Sequence, residues 1–317
     1  MKPVRRISFV IPCYYSEKTL PEVVREIDDT MADLTFEGQK PTHQIVMVND
    51  GSTDGTWDVI TGLCGEDPEN RLGICFARNF GQHAAVMAGL RAADGDVIVC
   101  LDDDGQTPAS EVGKLLAPLT EGADVVYASY GGHKQHSAFR NFGTWLNEKM
   151  AQVLLGKPKD LFVSSYFAMR RYVADEMVRY ENSYPYLIGL VLRTTNRIVN
   201  AEVTHRKREE GTSGYSLKKL FGLWMNGFTA FSVQPLRFST MIGAACAGIG
   251  FLYGIYTIIK KFTNPDVPLG FSAIMDAVIF FGGMILLMVG MAGEYIGRTY
   301  ISVNKAPQYV IRETSRT

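Results

Sequence analysis

The 317-residue chain carries 32 Lys+Arg against 33 Asp+Glu, for a net charge of −1, with 46% hydrophobic and 21% charged residues. The length allows one large domain, or one domain plus an appendage, and composition favours the second. Cys13, Cys64, Cys75, Cys100 and Cys246 are scattered without paired metal-ligand spacing, so they read as small core residues of a protein kept reduced in the cytosol.

From Met1-Lys2-Pro3-Val4-Arg5-Arg6 the chain enters a short strand-like run, without the longer apolar region and cleavage site of a signal peptide. Strand-like and helix-like runs then alternate. Ile7 to Ile11 precedes a helix over about Leu20 to Leu34, and Gln44 to Val48 precedes one over about Thr56 to Leu63. Gly73 to Ala77, His83 to Ala93, Asp96 to Leu101, Glu111 to Leu119 and Asp124 to Ala128 continue the pattern. Such alternation predicts an α/β fold, a mostly parallel sheet with helices on both faces, which binds ligands beyond the carboxyl ends of its strands.

Polar clusters stand at those ends. Pro12-Cys13-Tyr14-Tyr15 closes the first strand, Asn49-Asp50-Gly51-Ser52 the second, Arg78-Asn79 the third, and Asp102 to Gln106 the fourth. Closely spaced ionised carboxylates such as Asp102-Asp103-Asp104 repel one another unless a cation or a set of donors compensates. Mg²⁺ or Mn²⁺ suits them, because it takes oxygen ligands and keeps positions open for substrate phosphates. An acidic turn in water would need no metal. His83 opens a helix near this crevice, where capping, packing and ligand contact are all open to it.

Beyond Ala128 the pattern loosens. Two amphipathic segments, about 138–156 and Tyr215 to Phe231, could pack on the sheet or lie in a membrane interface. Phe238 to Ile259 then carries no charge and Ala273 to Gly293 only Asp276. At ~1.5 Å rise per residue each can cross a hydrocarbon core about 30 Å thick. Basic residues flanking the outer ends (Lys218, Lys219, Arg237; Arg298, Lys305, Arg312) against Lys260 and Lys261 in the loop place both termini in the cytoplasm. The expected organisation is a catalytic domain over 1–205, a loop and juxtamembrane helix over 206–237, a two-helix transmembrane hairpin over 238–295 and a cytoplasmic tail over 296–317.

Charge is polarised along the chain. Residues 1–133 hold 10 basic and 21 acidic side chains, and residues 134–237 hold 16 and 8. The basic stretch lies just before the spans, where anionic headgroups or a lipid phosphate attract it. Nucleic acid is a poorer partner, since no recognised motif and no basic residues interleaved with stacking aromatics are present.

Taken together, Val10-Ile11-Pro12-Cys13-Tyr14, Val48-Asn49-Asp50-Gly51-Ser52-Thr53-Asp54-Gly55, Arg78-Asn79-Phe80-Gly81-Gln82-His83 and Asp102-Asp103-Asp104-Gly105-Gln106-Thr107-Pro108 resemble the inverting family-2 glycosyltransferases of the GT-A, Rossmann-like fold. Arg208-Glu209-Glu210-Gly211-Thr212-Ser213-Gly214-Tyr215-Ser216, Gln234-Pro235-Leu236-Arg237, the two spans and Gly293-Glu294-Tyr295-Ile296-Gly297-Arg298 narrow the likeness to the polyprenyl-phosphate glycosyltransferases. These include dolichyl-phosphate mannose synthase and bacterial undecaprenyl-phosphate sugar transferases.

The resemblance implies a nucleotide-diphosphate sugar donor, with a UDP-sugar favoured, and a polyprenyl monophosphate acceptor. It also implies Mg²⁺ or Mn²⁺, contact with membrane lipids, and a multi-pass protein of the inner membrane with its catalytic domain in the cytoplasm; homo-oligomerisation is left open. Asp50 matches the carboxylate that binds the base, and Pro12, Tyr14 and Glu17 match the nucleoside loop. Asp102 and Asp104 match the outer positions of an Asp-x-Asp motif, with Asp103 between them and Gln106 a further metal ligand. An ionised lipid phosphate needs cationic positioning more than a general base. Arg208 matches the arginine for that task, and Arg140, Lys134 and Lys207 are candidates to share it.

The chain departs from the family at Tyr15, where Asn is common, at Tyr130, where Arg often follows the fifth strand, and at Gly214, where many members carry Lys. At Ser164-Ser165-Tyr166-Phe167, where Gly-Asp-Phe-Arg is frequent, a carboxylate sometimes assigned as base is missing. A sugar-1-phosphate nucleotidyltransferase would want a Gly-rich phosphate loop, but Ile11 to Leu20 contains no glycine. A processive synthase would show Gln-x-x-Arg-Trp and more spans. A catalytically inactive membrane scaffold or lipid-carrier binding protein is the alternative, and the intact Asp50, Asp102 and Asp104 argue against it.

Overall fold

The computed structural model describes residues 4–130, 152, 156–204, 206, 234–263, 270–304 and 306–316. Its elements divide into two compact units, one holding residues up to Trp224 together with those from Lys305, the other spanning Met225–Asn304.

The first unit is an eight-stranded sheet ordered β7-β5-β6-β4-β1-β2-β3-β8. Strands β1 (Arg6–Cys13), β2 (Thr42–Asn49), β3 (Arg71–Phe76) and β4 (Val97–Cys100) are mutually parallel neighbours. Phe9, Val10, Ile11, Val46, Met47, Val48, Ile98 and Val99 are fully buried, the mark of strands covered on both faces. Helix α1 (Leu20–Asp33) carries Pro21 in its first turn and puts Leu20, Val23, Val24, Ile27 and Met31 into the core, an apolar stripe at helical spacing. Helix α2 (Thr56–Glu66) follows β2, and α3 (Gln82–Ala92) follows β3. In α3 every residue from Ala84 to Leu90 is buried, because small side chains let its backbone approach β1 closely. A Cβ on Gly89 would stand 2.2 Å from Val10 Cγ1, so this crossing admits only glycine.

Helix α4 (Val112–Thr120) leads to β5 (Val125–Tyr130). The loosened region beyond it contains strand β6 (Phe167–Arg170), α5 (Arg171–Val178), α6 (Leu187–Thr194) and β7 (Ile198–Val203). Strand β6 runs antiparallel between β4 and β5, and β7 pairs parallel with β5. β1 lies between β4 and β2, so chain order reverses at β1, and the crevice of such a sheet opens at that switch point.

Two helices make the second unit, α7 (Gln234–Thr263) and α8 (Phe271–Val303), where two apolar spans are expected. A Cβ on Gly243 would come within 2.5 Å of Met288 Cε, so α7 packs closely on α8. Among the described residues, one stretch is long and apolar enough to cross a membrane, Phe280–Gly297; the apolar stretch of α7 is shorter, Thr240–Gly250.

The segment expected as a cytoplasmic tail over 296–317 carries regular structure. Residues up to Val303 extend α8, and β8 (Ile311–Thr314) returns to the sheet as an antiparallel edge beside β3. Tyr309 stacks on Phe76 with centroids 4.9 Å apart and accepts a 2.6 Å hydrogen bond from Arg91, while Gln308 Nε2 donates to the carbonyls of Tyr180 and Asn182. The stacked ring and the amide bonded to two carbonyls fix this segment to the sheet unit.

Candidate active site

At the ends of β1, β2 and β4 three carboxylates hold four loops together. Asp50, 3% exposed, accepts the backbone N–H of Phe80 on one oxygen at 2.7 Å and that of Gly81 on the other at 2.8 Å. Burial pushes its carboxyl above the usual range, and these two donors pull part of the way back. Gly51 explains how the loops come so near: at φ +69° its missing Cβ would stand 2.4 Å from the carbonyl carbon of Arg78. In this structure Asp50 therefore clamps the β2 loop onto the β3 loop.

Asp103 works on the opposite side. Its Oδ2 accepts the Tyr14 N–H at 3.0 Å and the Ser16 hydroxyl, so the β4 loop is tied to the β1 loop. Burial raises its carboxyl, Ser16 and Tyr14 lower it, and Asp104 raises it again. Glu17 accepts the N–H of Gly55 at 2.8 Å, which braces the β1 loop against the start of α2. Tyr14 and Tyr15 are about half exposed and meet edge to face at 4.5 Å. Tyr15 sits at φ +58°, a left-handed conformation that Asn adopts more readily than Tyr. The Asn frequent at this position thus has a backbone explanation, and here the strained residue is held by Ser52 Oγ and by a Tyr15 Oη to Thr53 Oγ1 contact of 2.9 Å.

Asp102 looks into the crevice. Its Oδ1 accepts Gln82 Nε2 at 3.1 Å, and its Oδ2 accepts the Ser165 hydroxyl. Burial first, then Asp104 and Asp103, push its carboxyl up to about 6, and Ser165 and Gln82 offset only part of that. Asp104 Oδ1 accepts the N–H of Gln106 at 3.1 Å across a turn made by Gly105 at φ +72°. The Gln106 carbonyl accepts the N–H of Arg206 at 3.2 Å, and the Arg206 guanidinium grips Glu26 through two bonds of 2.8 and 2.9 Å. Arg140, Lys134, Lys207 and Arg208 lie outside the described residues.

The donor set fits a hard divalent ion. Two carboxylates come from one turn, one of them with its proton held up to about pH 6 by burial and then by its acidic neighbours, and a cation would offset that penalty. Among the described residues no group of three or more His, Cys, Asp or Glu forms a metal cage. Mg²⁺ and Mn²⁺ need none where substrate phosphates complete the shell.

Beside Asp102 opens a cavity of about 270 Å³, lined by Pro12, Gln82, His83, Tyr127, Ser164 and Ser165 together with apolar side chains. Sequence reasoning found Pro12, Asp102 and His83, and missed Gln82, Ser165 and Tyr127. Ser165 was signalled by the absent carboxylate in its segment: a serine there donates to Asp102, whereas a carboxylate would add a fourth negative charge. Nothing in the sequence marks Tyr127, an apolar-run residue of β5 that is 2% exposed.

Residues 8–178 match Glycosyl transferase family 2, and residues 234–299 match the GtrB C-terminal hairpin. The chain belongs to glycosyltransferase family 2. This glycosyltransferase is 31% identical over 316 residues to the undecaprenyl-phosphate 4-deoxy-4-formamido-L-arabinose transferase of Aeromonas hydrophila, covering 99% of this chain and 95% of that protein. The enzyme of the same name from Serratia proteamaculans is 30% identical over 315 residues, again 99% and 95% of the two chains. A mycobacterial protein of known crystal structure aligns at TM-score 0.50 and 17% identity, over 69% of this chain and 71% of that one, a likeness of fold. Glucosyl-3-phosphoglycerate synthase from Mycobacterium tuberculosis, crystallised with Mn²⁺, UDP-glucose and phosphoglyceric acid, aligns at TM-score 0.49 and 18% identity, over 70% and 76%.

Proposed function

We propose that this glycosyltransferase moves one sugar from a nucleotide-diphosphate donor, a UDP-sugar, to undecaprenyl phosphate with inversion at the anomeric carbon. The observation that carries the proposal is the match of 99% of the chain, hairpin included, to relatives named as undecaprenyl-phosphate sugar transferases. The acidic crevice at the switch point supplies a site of suitable chemistry.

In this reading Tyr14 and Pro12 line the nucleoside end, with Asp50 and Glu17 fixing the loops that form it. Asp50 keeps lone pairs beyond the two it gives to Phe80 and Gly81, so a contact to the base stays within its capacity. Asp104, Asp102 and Gln106 hold Mg²⁺ or Mn²⁺, which when bound offsets the charge of the departing nucleoside diphosphate. Asp102 also positions Gln82 and Ser165 at the cavity rim. The acceptor phosphate, already ionised at neutral pH, attacks without a strong base, consistent with Ser165 standing where a carboxylate is frequent. Arg208 and Arg140 are proposed to bring the two anions together. The Phe280–Gly297 stretch supports anchorage in the inner membrane, with the uncharged run Phe238 to Ile259 of α7 as a second span and the catalytic unit on the cytoplasmic side.

The test is a transfer assay with the full chain in detergent, undecaprenyl phosphate, Mn²⁺ and labelled nucleotide sugars. Label enters the lipid phase, EDTA stops it, and Asp104→Asn lowers it at least ~100-fold, the scale of losing a transition-state charge stabiliser. Near-normal turnover in Asp104→Asn sinks the metal assignment. No lipid-soluble label from any donor, with folded protein, sinks the function.

A further inference from the structure

We propose that residues 306–315, the segment that follows α8, form a strap that positions the donor crevice, with Tyr309 and Gln308 as its positioning residues. The proposal rests on the glycosyl-transfer reading above and deepens it by naming what holds the donor site in shape.

The strap reaches the crevice by two routes. The first runs through Phe76, the last residue of β3. Tyr309 stacks on Phe76 with an interplanar angle of only 10°, and Phe80 meets Phe76 edge to face at 5.7 Å. The Phe80 N–H is one of the two that Asp50 accepts, and the Arg78 guanidinium covers the Phe80 ring at 4.3 Å. The Val310 carbonyl accepts the Ala77 N–H at 2.9 Å, so the strap also takes up the backbone where β3 gives way to the loop that Asp50 clamps.

The second route runs through residues 180–186. Gln308 Nε2 donates to the carbonyls of Asn182 at 3.0 Å and Tyr180 at 3.3 Å, and Ser183 Oγ donates to the carbonyl of Ala306 at 2.7 Å. Pro185 and Tyr186 follow directly. The Pro185 carbonyl can only accept, so His83 Nδ1 donates to it at 3.1 Å, and Tyr186 packs against the His83 ring at 5.8 Å. His83, Tyr186, Leu187 and Ile188 line the cavity beside Asp102. Arg91 joins the two routes from the last turn of α3, the helix that opens with Gln82 and His83. Its Nη1 donates to Tyr309 Oη at 2.6 Å and its Nη2 to the Val178 carbonyl at 3.0 Å.

The strap is poorly made for stability alone. Every residue of β8 is exposed or half-buried, so little apolar area leaves water there. Among the described residues of the strap the one buried side chain is Gln308, 7% exposed, and its Oε1 has no hydrogen-bond partner. An apolar side chain of similar length would avoid burying that orphan acceptor. What the amide adds is its hold on the carbonyls of Tyr180 and Asn182, which fixes the segment leading to the cavity wall.

The test uses the full chain in detergent and three variants, Tyr309→Leu, Tyr309→Phe and Gln308→Met. Hydrogen exchange is read on peptides covering 77–83 and 180–188, the Kd for UDP with Mn²⁺ by calorimetry, and KM for donor and for undecaprenyl phosphate in the transfer assay. Tyr309→Leu removes the stack and the Arg91 bond; it should speed exchange at 77–83 and weaken UDP binding ~2–30-fold, the range of coupling through packed networks. Gln308→Met keeps the length without the amide, so exchange at 180–188 and donor KM should rise while Tm is unchanged or higher. In both variants KM for undecaprenyl phosphate should stay within about twofold of wild type, as expected of a donor-side defect. Wild-type exchange in β1 and β2 reports that the sheet is folded. Tyr309→Phe, which keeps the stack, should lie closer to wild type than Tyr309→Leu. Unchanged exchange at both peptides overturns the proposal, as does loosening without a donor-side defect, or donor and acceptor KM rising together. If the wild type neither binds UDP nor labels the lipid, the transfer reading falls, and exchange at the two peptides alone decides whether the strap holds those walls.

Discussion

Asp102→Asn should make the metal-free protein more stable at neutral pH while abolishing transfer. The Asp102 carboxyl is raised from 3.8 to about 6, so the folded state keeps a proton that the unfolded chain has already released between those values. Stability therefore falls as pH rises through that window, and the penalty is complete above pH ~6. At ~1.36 kcal/mol per pKa unit, a shift of about two units amounts to roughly 3 kcal/mol. The asparagine is neutral at every pH; its Oδ1 can accept from Gln82 while its Nδ2 donates to the Ser165 hydroxyl oxygen, so it removes the penalty with little loss of geometry. For a unit of this size 1 kcal/mol moves Tm by about 2–4 °C, giving an upper bound near 6–12 °C. The assay is thermal unfolding of the full chain in detergent with EDTA, wild type against Asp102→Asn, from pH 4 to 8. The variant's advantage should be largest at pH 7–8 and vanish toward pH 4. A Tm difference independent of pH, or a wild type more stable at pH 7.5, would refute the electrostatic argument.

Asp103→Ala removes the acceptor shared by Tyr14 N–H and the Ser16 hydroxyl, and bonds to a charged group contribute about 1.5–3 kcal/mol. It should lower stability by about 2 kcal/mol in denaturant titration and raise the donor KM more than it lowers kcat, because the β1 loop is loosened and the Asp102/Asp104 pair is not. Tyr15→Asn relieves a left-handed tyrosine, a conformation costing ~1–2 kcal/mol, and loses one exposed hydrogen bond to Thr53. The expected outcome is a Tm higher by about 2–4 °C; a lower Tm would mean that the aromatic contact with Tyr14 outweighs the strain.

The parallel core was legible because its strands are continuous apolar runs ending in polar turns, and β1 to β5 lie where that pattern puts them. Strand β6 was not, since Phe167–Arg170 is four residues long and its antiparallel place between β4 and β5 depends on partners 40 to 70 positions away. Strand β8 was harder still. Ile311–Thr314 is a polar edge strand whose signal comes from Tyr309 stacking on Phe76, a contact across more than 200 residues. At the site, residue type and order pointed to the crevice, but the direction of each carboxylate could not be read. Asp50 and Glu17, expected beside the nucleoside, also accept backbone N–H groups of neighbouring loops, which residue type alone does not show.

The three consecutive aspartates thus divide by what compensates their charge. Asp103 gives its Oδ2 to the Ser16 hydroxyl and the Tyr14 N–H and so acts as a tether, although burial still raises its carboxyl. Asp102 has two donors as well, yet burial and its two neighbours outweigh them and leave its proton held up to about pH 6. A site built only for stability would use asparagine there, at a gain of roughly 3 kcal/mol by the same conversion. Retaining the carboxylate makes sense if a cation recovers that energy when the donor arrives, and it predicts that divalent-ion affinity rises as pH increases through about 6, where Asp102 releases its proton. Residual charge repulsion in the folded chain and catalytic readiness are then one property of the β4 turn, with the loop tethers at Asp50 and Asp103 supplying the rigidity that keeps the repelling groups together.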